Sequence, residues 1–137
     1  MVPDPVPTYQ IDEQESGSFT ALIVGNDRVT PLPGSTLTTL TLTLYVIKQD
    51  GTEQVVNSRN QQSILNVNNG QVLETPVTRS DGTTYNLIWT ITAADTIIVE
   101  NALRFERHIG LIEWTAPNGV SGKAEIILNV RNLRRVS

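Results

Sequence analysis

The stretch "FERHIGLIEW", Phe105 to Trp114, carries the only histidine of the chain, His108, with Glu106, Arg107 and Glu113 close by. An imidazole beside a carboxylate is the commonest acid–base arrangement, because the carboxylate orients the ring and stabilises its charged form. The spacing works against that use. On a strand, residues two apart share a face, so Glu106 and His108 lie together while Arg107 and Glu113 belong to the other face. No G-x-S-x-G or comparable nucleophile context accompanies them. The expectation is a strand whose polar residues make cross-strand or subunit contacts, with Phe105, Ile109, Leu111, Ile112 and Trp114 as its packing residues and no catalytic role.

Other chemistries find equally little material. The chain has no cysteine, which removes disulfides, thiolate zinc sites and thiol nucleophiles together. One histidine and no D-x-[DN]-x-[DN]-G run argue against a zinc or calcium site, and "NVNNG" (Asn66 to Gly70) offers carbonyl oxygens without a carboxylate. The glycines are scattered among turns and none opens a helix, so no phosphate cradle is expected. No cofactor is expected. Of the two tryptophans, Trp89 lies in register with Leu87 and Ile91, a core pattern, whereas Trp114 shares a face with Ile112 and His108. A glycan platform would need Trp114 exposed.

These residues sit in elements with a clear period. In "LTTLTLTLYVI", Leu40, Leu42, Leu44 and Val46 alternate with Thr39, Thr41, Thr43 and Tyr45. Period two means a strand with one face in a core and a threonine-rich face outward. "GSFTALIV", "TTYNLIWTI" and "KAEIILNV" repeat the pattern, the last placing Ala124, Ile126, Leu128 and Val130 inward. Turn residues separate them at "GNDR", "PLPG", "QDGT", "NNG", "SDG" and "PNG". Only "TAADTIIVENAL" lacks alternation, and Asp95 is placed there to cap a short helical turn. About seven short strands with frequent turns predict an all-β fold, an antiparallel β-sandwich of immunoglobulin-like type, with a jelly roll or small barrel as alternative.

A length of 137 residues allows one core. The net charge of −4 argues against nucleic acid as partner, and no apolar run reaches membrane-spanning length. Residues 1–16 are expected to form an extended N-terminal arm, since Pro3, Pro5 and Pro7 favour polyproline geometry. Residues 17–133 form the single sandwich, and 134–137 a basic tail. The ends carry opposite charge: Asp12, Glu13 and Glu15 at one, Arg131, Arg134 and Arg135 at the other. With Tyr9 and Ile11 of the arm, and Glu106 and His108, they are the candidate subunit contacts, the unlike-charged ends pairing between copies.

Taken in order, "LTTLTLTLYVI", "VVNSRNQQSILNVNNG", "YNLIWTITAADTIIV" and "ERHIGLIEWTAPNGVSGKAEIILNVRNL" resemble a group of small bacteriophage and prophage proteins of about this length. The resemblance implies a virion structural protein without enzymatic activity. It would be a capsid decoration or cement protein on the major capsid protein, in a homo-oligomer or high-copy lattice. The alternatives are a neck or tail component that anchors fibres, and a glycan-binding module.

Overall fold

The computed structural model describes residues 7–100 and 104–133. Among the described residues nine strands run in chain order: β1 (Thr8–Asp12), β2 (Gly17–Ala21), β3 (Thr39–Ile47), β4 (Glu53–Val55), β5 (Gln62–Ser63), β6 (Gly70–Thr78), β7 (Thr84–Ile91), β8 (Phe105–Ala116) and β9 (Val120–Arg131). They form two sheets, one ordered β1-β9-β8-β3-β4 with β5 also on β3, the other β2-β7-β6. The all-β expectation holds.

The two sheets meet through the alternating residues. Leu40, Leu42, Leu44 and Val46 of β3 are buried against Leu87, Trp89 and Ile91 of β7, with Ile112, Ile126, Leu128 and Val130 completing the core. Nothing but period two is needed to produce this sorting, because each strand turns every second side chain to the same side. Ala124 is only half-buried, where the core thins towards the start of β9.

Two hairpin tips are built alike. In Lys48–Thr52 and Arg79–Thr83 the glycine takes a left-handed φ (88° at Gly51, 90° at Gly82). The preceding Asp50 and Asp81 each accept from the backbone N–H and the hydroxyl of the following threonine. The sequence D-G-T thus specifies the turn locally.

One boundary differs from expectation. From Thr8 onward the N-terminal segment is no arm but strand β1, parallel to β9, with Thr8 opposite Ile127 and Asp12 opposite Arg131. The larger sheet is therefore mixed rather than antiparallel. The cause is visible in "TYQID": Ile11 is buried in the core and Tyr9 packs partly against it, while Thr8 and Gln10 face solvent. Residues 1–6 and 134–137 lie outside the described residues, and with them Arg134 and Arg135.

Candidate functional site

The residues of "FERHIGLIEW" divide between two surfaces. Glu106, His108, Ile112 and Trp114 point inward and are buried; Phe105, Ile109 and Leu111 lie on the outer face of the sheet. His108 is fully enclosed. Its Nδ1 donates to the Asp95 carbonyl at 2.8 Å and its Nε2 meets Glu106 Oε1 at 2.7 Å. Glu106 also accepts from the backbone N–H groups of Val99 (2.8 Å) and Glu100 (2.7 Å). Burial pushes the Glu106 carboxyl up, but the His108 ring and these two amides outweigh it and hold the group below its ordinary 4.5. Both ring nitrogens and both carboxylate oxygens thus have hydrogen-bond partners.

Asp95 continues the chain of contacts. It sits inside a 3-10 turn, Ala93–Thr96, whose N-cap is Thr92 rather than Asp95; Asp95 is the third residue of the turn, and its carboxylate reaches back to accept from the Thr92 backbone N–H. The same carboxylate takes a bidentate pair from Arg59, 2.6 Å from Nε and 3.1 Å from a terminal nitrogen, and a bond from Asn57. Burial opposes the charge, and the hydrogen bonds from Arg59, Thr92 and Asn57 more than offset it, leaving the Asp95 carboxyl below 3.8. Arg59 is 1 % exposed, lies 5.6 Å from the Trp89 ring centre and also donates to Gln62 and the Asn68 carbonyl. Such a linkage ties β7, β8 and the segment 57–68 together; with His108 sealed, it presents no reacting group to solvent.

The opposite-charged ends do meet, but inside one chain. Arg131 donates to both oxygens of Asp12 at 2.8 and 3.1 Å, Glu13 accepts from the Leu133 N–H at 2.9 Å and Glu15 accepts from the Asp12 N–H at 3.1 Å. Parallel pairing of β1 with β9 brings them there, so these contacts need no second copy. Tyr9 lies over Gly17, where an added Cβ would come within 2.9 Å of its hydroxyl.

Two surface features remain. On the outer face of the larger sheet, the register aligns Val55, Tyr45, Ile109 and Ile127 across four strands. Ile47 (54 % exposed) and Phe105 (43 %) border this band around a shallow depression of about 390 Å³. At the far end of the molecule a cleft of about 860 Å³ lies between residues 24–28 and the paired strands β8 and β9, lined by Arg28, Glu113, Trp114, Ser121, Gly122 and Lys123 among others. Trp114 is only 8 % exposed and its indole lies over Gly122, where a Cβ would meet the ring at 2.5 Å. The tryptophan is a floor, not a platform.

Neither Arg59 nor the cleft stands out in the sequence. Arg59 lies in a polar run, "VNSRNQQ", with no periodic signal, and only its partner 36 positions later explains its burial. Compared with protein-family models, with characterised proteins and with solved structures, the chain matches none.

Proposed function

We propose that this chain is a non-enzymatic structural protein of a bacteriophage virion, a decoration or cement protein docked in many copies on the coat lattice. The observation that carries the reading is an outward sheet face on which Ile47, Val55 and Phe105 are exposed, with Tyr45 and Ile109 half-buried between them and Ile127 almost covered. Contiguous exposed apolar area rimmed by polar groups is the mark of a docking surface. The sequence resemblance supplies the setting, and symmetry multiplies a modest contact into a stable lattice.

The sandwich is, on this reading, immunoglobulin-like. Strand order supports it: β2-β7-β6 correspond to the B-E-D set and β9-β8-β3 to G-F-C, with β4 added after the third strand. A non-enzymatic role is supported by the full enclosure of His108. A glycan-binding role finds no support in the tryptophans, both buried.

Quantifying the protein against the major coat protein in separated heads and tails tests the reading. Hundreds of copies over heads are expected. A dozen or fewer at one vertex or on the tail would move it to the neck or fibre-anchor role, and absence from particles would overturn it.

A further inference from the structure

Four dipeptides of the chain place glycine directly after an aspartate or asparagine: Asp50-Gly51, Asn69-Gly70, Asp81-Gly82 and Asn118-Gly119. In each, the glycine nitrogen can close a five-membered ring onto the side-chain carbonyl carbon before it, and glycine has no side chain to hinder the approach. Closure requires the peptide group between the two residues to rotate. Whatever holds that group suppresses the reaction.

At Asn69-Gly70 both ends of the peptide group are bonded. The Asn69 carbonyl accepts from the Thr90 N–H at 2.8 Å, and the Gly70 N–H donates to the Val67 carbonyl at 3.0 Å. Gly70 is buried so closely on Ile64 that an added Cβ would come within 2.2 Å of the Ile64 carbonyl oxygen. The peptide cannot turn without breaking the start of β6. At the two D-G-T tips, the Gly51 and Gly82 N–H groups donate to the carbonyls of Lys48 and Arg79. The hydroxyls and amides of Thr52 and Thr83 hold the Asp50 and Asp81 carboxyls below their ordinary 3.8. They are therefore ionised at neutral pH, and a carboxylate anion is a poor target for a nucleophile.

Asn118-Gly119 has none of these restraints. The two residues lie beyond Ala116 and Val120, the last pair of the β8–β9 ladder, and both are exposed. Neither the Asn118 side chain, the Asn118 carbonyl nor the Gly119 N–H makes a hydrogen bond among the described residues. A Cβ built at Gly119 would meet nothing within 4 Å. Asn118 also holds a left-handed φ of 66°, a region that a residue with a side chain occupies at a cost.

We propose that Asn118 is a self-modification site, which the folded chain converts to aspartate and isoaspartate with water as the only co-reactant while its fold spares the other three dipeptides. The Gly119 nitrogen gives up its proton and bonds to Asn118 Cγ. The Cγ–Nδ2 bond breaks, and Nδ2 leaves with a proton as ammonia. Water then opens the succinimide at one of its two carbonyl carbons. Attack at Cγ gives aspartate; attack at the main-chain carbonyl carbon gives isoaspartate, whose main chain runs through Cγ. An amide nitrogen is exchanged for oxygen, and nothing is oxidised or reduced. Either product adds a negative charge to the tip of the hairpin whose strands line the cleft at Glu113 to Thr115 and Ser121 to Lys123. The site stands independently of the virion reading.

The test is incubation of the native full chain in mildly alkaline buffer at body temperature, with a parallel sample in concentrated urea. Proteolytic peptide mapping by mass spectrometry follows conversion at each dipeptide, and methylation by a protein-isoaspartate methyltransferase reports the isoaspartate. In the native chain Asn118 should convert about tenfold or more faster than Asn69, whose peptide must break two hydrogen bonds to turn. In urea the two asparagines should converge, and Asn118→Gln should remove the methylation signal from the native chain. Equal native rates at Asn69 and Asn118 would overturn the proposal. So would an Asn118 that stays intact in the native chain while it converts in urea.

Discussion

His108 is held between two acceptors of different kinds, a backbone carbonyl and a carboxylate, and Glu106 is bound in turn by two backbone amides. Glu106→Ala removes the acceptor of the buried His108 ring and of two part-buried backbone N–H groups. Breaking one side of a buried pair costs about 3–5 kcal/mol, and chemical denaturation should read a loss of that size. Replacing Arg59 and Asp95 together by Met and Leu should cost less than Asp95→Ala alone, because a well-packed apolar pair strands no charge. Acid acts on the same residues. Asp95 and Glu106 have folded-state pKa values below 3.8 and 4.5, so their contribution is full above those values and is lost as pH falls through the lowered ones. Denaturation midpoints measured from neutral pH down to about pH 2 should fall most steeply below these values. Asp95→Asn and Glu106→Gln should flatten that fall. Asp27, lowered to about 2 by the Thr30 hydroxyl and the Thr30 and Val29 amides, should be among the last carboxyls to titrate by NMR.

Among the elements, Gly122 and Trp114 form a cross-strand pair in which the indole occupies the space a side chain would take. Gly122→Ala must displace the ring, and the overpacking should lower stability by about 1–3 kcal/mol, measured against Gly25→Ala, whose Cβ would make only an ordinary 3.7 Å contact with Leu32, as a control for the substitution itself. The inward sets of β3, β7 and β9, the D-G-T tips and the short helical turn around Asp95 were legible in the sequence because each is written in adjacent or alternating residues, although the turn is capped by Thr92 with Asp95 inside it. Strand β1 was not. Tyr9 and Ile11 have the right period, but the segment is short and proline-led, and its partner in β9 lies 119 positions away. The burial of Arg59 and Asp95 was hidden for the same reason: charged residues read as surface until a distant partner is known.

For the molecule as a whole, the outward apolar band predicts variants that separate assembly from folding. Ile47 and Phe105 are each more than two-fifths exposed, so Ile47→Lys and Phe105→Lys should leave the melting temperature nearly unchanged while removing attachment to particles, read by co-sedimentation. Loss of fold in these variants would instead make the band part of the core. The parallel union of β1 with β9 has a mechanical consequence. Tension on the chain before Thr8 and after Arg131 pulls two parallel neighbours in opposite directions along their own axes. The hydrogen bonds from Pro7 to Arg131 then bear the load together in shear, instead of parting one at a time as a peeled hairpin does. A domain strung between two anchors by its ends would resist extension at the very place where its ends are joined.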